Sequence, residues 1–246
     1  MLLANKILTY KIMHIVKLSF LTPLFLYYLL LPFCAQADML EVVANIESGR
    51  VIDGVNLTDN QLNAGLTTEW SADNGVFASL SCFVGEKRSQ RAIQRGCDGS
   101  MGWFTPINDT HAVSLAVSRH DYSSPILRGW QYTAASVNWH MGSHHTLKIR
   151  ATDSLLGQRF SATTASYHVS KPLNDKWSLN FEGGVTSLSG SDSISTLEYG
   201  ILSTDYTRGR WNTQIELILS SSNYKRLVGL DIDQPDVSIN FRYQLY

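Results

Sequence analysis

Apolar and polar side chains alternate with period two in several segments of this 246-residue chain, and that rhythm limits the fold more than any other feature. Successive side chains of an extended strand point to opposite faces, so the pattern builds a sheet with one apolar and one polar face. In the last strand, Val237, Ile239, Phe241, Tyr243 and Leu245 oppose Ser238, Asn240, Arg242 and Gln244. Leu62, Ala64, Leu66, Thr68 and Trp70 likewise oppose Asn63, Gly65, Thr67 and Glu69, and Trp211, Ile215, Leu217 and Leu219 oppose Asn212, Gln214 and Glu216.

Twelve strand-like segments fit the pattern, near 41–51, 60–72, 75–85, 96–105, 110–121, 128–141, 145–153, 159–170, 176–188, 195–207, 209–222 and 235–246. In the sixth, Trp130 and Tyr132 lie out of phase with Val137 and Trp139, and a bulge is the expected remedy. One alternate set of connections is short and built from turn residues: Asp73-Asn74-Gly75, Asn108-Asp109, Gly142-Ser143, Asn174-Asp175 and Arg208-Gly209. The other set is longer and polar, at 86–95, 122–127, 189–194 and 223–234. Short turns on one rim and long loops on the other is the outer-membrane pattern, with the short turns facing the periplasm. The fold class expected is all-β, a transmembrane antiparallel up-and-down barrel of about 12 strands occupying residues 38–246. The final strand resembles the closing strand of such barrels, and Phe241, Tyr243 and Tyr246 are its candidate assembly signal, although Tyr246 falls on the opposite phase.

The aromatics give a separate reading. Trp70, Trp103, Trp139, Tyr167, Trp177, Tyr206, Trp211 and Tyr243 all fall near strand ends that abut short turns. Stacked in space they form a girdle at the level of lipid headgroups.

The start of the chain reads as an export signal over residues 1–37. Lys6, Lys11 and Lys17 precede an apolar run from Leu18 to Phe33, and Ala35-Gln36-Ala37 is a small-x-small cleavage site. Met13 is an alternative initiator, and an uncleaved anchor is the competing reading. Without those three lysines the chain carries 17 Lys and Arg against 21 Asp and Glu. That balance argues against a nucleic-acid partner. The partners implied are outer-membrane lipid and lipopolysaccharide, the barrel-assembly machinery and small polar solutes, at a Gram-negative outer membrane. No cofactor and no metal site is read from the sequence.

Cys82 and Cys97 form an even pair in an exported chain and face each other across one hairpin, so a disulfide is expected. It either staples the following loop or holds the basic stretch Glu86–Arg95 for contact with lipopolysaccharide phosphates, or inside the pore. Alternation also assigns Glu69, Lys148, Arg150, Glu182, Glu198, Glu216 and Arg242 to the lumen. Glu216 and Arg242 are expected at matching heights on neighbouring strands, and Arg150 and Glu182 at matching heights one strand apart. Such charges either line a water-filled channel or pair and close it. Twelve strands fall between the filled interior of about eight and the open one of about sixteen.

Enzymatic chemistry has one weak candidate: His168 and Ser170 share a strand face, the start of a nucleophile and base pair. Their lumenal, periplasmic placement and the following Lys171-Pro172 argue against lipid hydrolysis. His120-Asp121 and Asp231-x-Asp233 read as rim or loop residues.

One family resemblance adds to this. Residues Ser48–Asp59, then Leu62–Leu66 and Gly75–Ser79, resemble the amino-terminal signature of the TorF-type porins. Gly54, Val55, Asp59, Gly65, Gly75, Phe77 and Ala78 match that signature. Glu47-Ser48-Gly49 replaces its Ser-Asp-Tyr, and Asp53 its first Arg. The resemblance implies an outer-membrane barrel with a channel function and names no solute. The sequence reading is therefore a narrow channel for small polar solutes or ions. A closed structural or surface-binding barrel is the alternative, and a lipid-modifying hydrolase comes third.

Overall fold

The computed structural model describes residues 39–53, 55–58, 60–85, 93–123, 130–155, 161–189, 196–221 and 236–245. The expected export segment, Tyr246, most of the basic stretch after Cys82 and the Asp231/Asp233 pair lie outside the described residues.

Among the described residues fourteen strands follow one another: β1 Met39–Glu47, β2 Val51–Ile52, β3 Val55–Asn56, β4 Asn63–Ser71, β5 Val76–Gly85, β6 Arg95–Asn108 and β7 His111–Ser123. Then come β8 Trp130–Met141, β9 His145–Thr152, β10 Ser161–Pro172, β11 Trp177–Ser189, β12 Thr196–Arg208, β13 Trp211–Ser220 and β14 Asp236–Gln244. Twelve of them close into one antiparallel barrel in which each strand pairs with its sequence neighbours. The circle is completed where β1 meets β14, with Val43 opposite Gln244 and Glu47 opposite Asn240. The closure leaves no unpaired edge, a requirement for any sheet that stands in lipid.

The remaining two strands were not legible as such. β2 and β3 form a separate two-stranded hairpin, with Val51 opposite Asn56 and Ile52 opposite Val55. The hairpin lies between β1 and β4 and folds into the lumen from the long-loop rim.

The short turns are shaped by local chemistry. At 73–75 the Gly75 amide donates to the Ala72 carbonyl at 2.9 Å and Asn74 Oδ1 accepts from the Val76 amide at 3.1 Å. Gly75 has φ +86°, a left-handed conformation, and a Cβ there would run into the Phe104 carbonyl. Asn108 and Asn174 repeat the Asx-type bond, each accepting from backbone amides two and three residues on at 2.9–3.0 Å.

No bulge reconciles the two halves of β8. Its register with β7 runs without interruption from His111 opposite Met141 to Tyr122 opposite Trp130. Trp130 and Tyr132 simply face inward, 6 % and 1 % exposed, while Val137 and Trp139 face outward. The register shift found in the barrel lies instead between Pro106 and Asn108.

Candidate functional site

The lumen has two unlike halves. Toward the long-loop rim it is packed with apolar side chains: Leu57 from the hairpin, Phe83, Ile93, Tyr122, Trp130, Tyr132, Leu155, Ala162, Leu188, Leu197 and Tyr199 form one buried cluster, with Ile52 against it. Toward the short-turn rim it opens into a cavity of about 880 Å³. Eight carboxylate side chains line this cavity (Glu41, Glu47, Asp53, Glu69, Asp98, Glu182, Asp205 and Glu216), against five cations (Arg50, Lys148, Arg150, Arg210 and Arg242). Among the described residues its wall is therefore net acidic.

Six of the seven predicted lumen charges, Glu69, Lys148, Arg150, Glu182, Glu216 and Arg242, line the cavity. Glu198 does not. It sits opposite Val185, itself 47 % exposed on the outer face, while its neighbours Leu197 and Tyr199 turn inward. The expected height matches are also corrected. Register places Glu216 opposite Ser238 and Arg242 opposite Asn212, four residues apart along the strand, and Arg242 donates to Gln214 Oε1 at 3.3 Å instead. Arg150 stands level with Thr164 and Thr186, whereas Glu182 stands level with His168 and Thr146. Glu182 accepts from the Tyr199 hydroxyl at 2.7 Å.

The hairpin segment forms the roof of the cavity. The Ser48 amide donates to the Ile239 carbonyl at 2.8 Å, and Ser238 Oγ donates to the Gly49 carbonyl at 2.9 Å. Gly49 permits the turn to close, since a Cβ there would stand 2.7 Å from Asn56 Nδ2. Arg50 then reaches the barrel wall. Its guanidinium bonds Asp98, meets Glu47 Oε1 at 3.3 Å and Ser81 Oγ at 3.2 Å, and lies 4.6 Å from the Phe83 ring centroid. Burial opposes its charge, but Asp98 and Glu47 more than offset this, so its pKa lies above the ordinary arginine value. Three residues on, Asp53 forms an ion pair with Arg150 on β9. Asp53 has φ +48°, a left-handed conformation that Asp tolerates better than most residues. The signal was in the sequence: Asp-Gly between Val51-Ile52 and Val55 is a hairpin motif.

Asp98 is also the centre of a polar network that sequence reading missed. His120 Nδ1 lies 2.6 Å from Asp98 Oδ1, the Tyr122 hydroxyl bonds the same oxygen, and Ser118 Oγ lies 3.0 Å from His120 Nε2. Because a carboxylate only accepts, Nδ1 carries a proton, and Ser118 Oγ also donates to the Ala134 carbonyl at 3.4 Å. The imidazole is stacked on Tyr132 at 4.3 Å. The legible clue was that Ser118 and His120, two apart on one strand, must share a face. His168 and Ser170 also share the inward face of β10, opposite Glu182 and Asn180, but no hydrogen bond joins them.

On the outside, the eight predicted belt aromatics all project outward near the short-turn rim. Trp177 lies 4.8 Å from Tyr206 and Trp211 4.6 Å from Tyr243, centroid to centroid. Trp103 Nε1 donates to the Asn74 carbonyl at 2.8 Å, Tyr167 Oη lies 2.6 Å from His145 Nδ1, and Trp139 Nε1 lies 3.3 Å from His111 Nδ1. Trp70 stands opposite Leu40 and Ala78. Cys82 and Cys97 face each other in register and form a disulfide, their Cα atoms 4.1 Å apart. Both share the outer face with Leu80, Val84 and Met101, which are 53–67 % exposed.

No family model and no curated protein sequence matches the chain. Solved structures do. A KdgM porin aligns over 84 % of this chain and 99 % of its own at a TM-score of 0.54 and 9 % identity. The same porin in complex with oligogalacturonate aligns at 0.54 and 10 %, covering 85 % and 100 % of the two chains. A NanC porin aligns at 0.53 and 13 %, covering 83 % and 98 %. At such identities the likeness shows the fold: a closed twelve-stranded barrel of the kind that outer-membrane porins adopt.

Proposed function

We propose that the chain is an exported outer-membrane protein and acts as a narrow, cation-preferring channel for small polar solutes. The observation that carries this reading is the polar, acid-rich cavity that opens at the short-turn rim. A structural barrel of this size would gain nothing from a surplus of carboxylates over cations on a cavity wall, whereas a channel uses such a surplus to raise the local concentration of cations. The porin fold and the TorF-like motifs point the same way. The KdgM porin has been captured with an acidic sugar chain, but an acid-rich wall disfavours a polyanion, so this chain is assigned different cargo.

Export requires removal of residues 1–37. The short-turn rim faces the periplasm, the eight outer aromatics seat it among lipid headgroups, and Phe241, Tyr243 and Tyr246 present the closing strand to the assembly machinery. The test is a planar-bilayer recording under a salt gradient. Discrete steps with a cation-directed reversal potential are expected; a folded, inserted and silent protein would overturn the reading in favour of a closed structural barrel.

A second reading rests on one observation, the Ser118–His120–Asp98 relay, whose connectivity is that of a hydrolase nucleophile, base and orienting acid. It would require an ester to reach Ser118 through the cavity. Labelling by a fluorophosphonate probe that disappears in Ser118→Ala would favour it, and absence of labelling would remove it.

A further inference from the structure

The inward hairpin places opposite charges on the barrel wall at two points. Arg50 delivers a guanidinium to Asp98 and Glu47, and Asp53, three residues later, delivers a carboxylate to Arg150. All these side chains are poorly exposed, between 7 and 17 %. A buried charge that loses its partner is strongly destabilising, so the wall groups need opposite charges in both positions whether or not the hairpin supplies them. The hairpin is not part of the barrel ladder: its strand pairs are internal, and its ties to the wall are side-chain contacts, base contacts at Ser48 and Gly49, and the Leu57 carbonyl accepting from the Ile93 amide at 3.0 Å. It can leave without breaking any pairing between barrel strands. The cavity beneath it is lined by the same wall groups, Glu47, Asp98 and Arg150.

We propose that the hairpin is a tethered stand-in for the solute. Asp98 with Glu47, and Arg150 on the wall of the same cavity, form a binding site for a small zwitterion bearing a guanidinium or ammonium group at one end and a carboxylate at the other. This deepens the channel reading and takes its physiological sense from it, but the site itself is measurable by binding alone. Free L-arginine carries the two groups that Arg50 and Asp53 present and is the natural probe.

The experiment is isothermal titration of L-arginine into the refolded full-length barrel in detergent. Arg50→Gln with Asp53→Asn removes the competing charges and keeps the Leu57 anchor; L-arginine is expected to bind this variant at least tenfold more tightly than wild type. Adding Arg150→Gln or, separately, Asp98→Asn to that variant is expected to return binding to background. Agmatine, which lacks the carboxylate, is expected to bind more weakly than L-arginine. β-Sheet circular dichroism identifies any variant that fails to fold, and the paired wall substitutions keep the test open if one does. Equal affinity in wild type and Arg50→Gln/Asp53→Asn, or affinity indifferent to both wall substitutions, overturns the site. A conducting protein that fails these binding tests loses the site and keeps the channel; a silent protein that passes them keeps the site and loses the channel.

Discussion

The two halves of the lumen obey opposite rules. Near the short turns the interior is a polar cavity while the exterior is apolar and ringed with aromatics. Near the long loops the interior is a dry cluster of Tyr122, Tyr132, Leu57 and Leu197, each no more than 1 % exposed. There the exterior is polar: Arg119 donates to Thr133 at 3.1 Å and to Gln131 at 3.0 Å, and Gln131 donates to Asp121 at 3.0 Å. Several strands run to 13 or 14 residues, more than the roughly 9–11 that cross a bilayer. They carry the sheet past the hydrocarbon, where the outer face meets water and the inner face can hold a core like that of a soluble protein. What alternates is thus burial, and which face is buried changes along a single strand.

This inversion decides what could be read from the sequence. Where strands stand in lipid, the rule of apolar outside and polar inside holds, so the outward Ile215 and Leu217 were legible; the short turns and the pairing of Cys82 with Cys97 were legible from signals of their own. Beyond the bilayer the rule fails. Trp130 and Tyr132 suggested a bulge only because apolar residues were taken to face outward. Glu198 was assigned to the lumen for the mirror-image reason: Leu197 and Tyr199 hold the inside. The hairpin at 51–56 left only its Asp-Gly turn as a signal, since two residues per strand are too few to establish a period. The ion pairs of Arg50 and Asp53 follow from tertiary placement, which no local spacing encodes.

The contrast between the halves can be broken most forcefully from the dry side. Leu57→Asp puts an uncompensated charge into the apolar cluster, at a cost of about 3–5 kcal/mol. The hairpin is expected to leave the lumen, raising single-channel conductance and solute efflux from vesicles while barrel circular dichroism is retained. Replacing Cys82 and Cys97 with Ser is next: the loop of 15 residues is worth about 3 kcal/mol in the chain-entropy picture, so the urea midpoint is expected to fall with conductance unchanged. Arg50→Ala leaves Asp98 and Glu47 facing each other's charge and is expected to lower stability by about 2–3 kcal/mol, with more frequent openings in bilayer records. Gly75→Ala strains the turn at φ +86° and should cost about 1–3 kcal/mol, read as slower refolding into lipid vesicles without change in selectivity. The smallest effect belongs to the wet side. Glu182→Gln and Glu216→Gln are expected to leave the urea midpoint within about 0.5 kcal/mol and to move the reversal potential toward that of a neutral pore.

The disulfide joins two residues whose side chains point away from the lumen, beside Leu80, Val84 and Met101. Cys97 nevertheless stands level with Asp121, in the polar outer belt that extends past the hydrocarbon. The sulfurs therefore stay within reach of soluble oxidants and reductants after the barrel has closed in lipid. The bond can be made or broken without withdrawing a strand from the membrane, and a soluble reductant added to the inserted barrel in lipid vesicles is expected to cleave it.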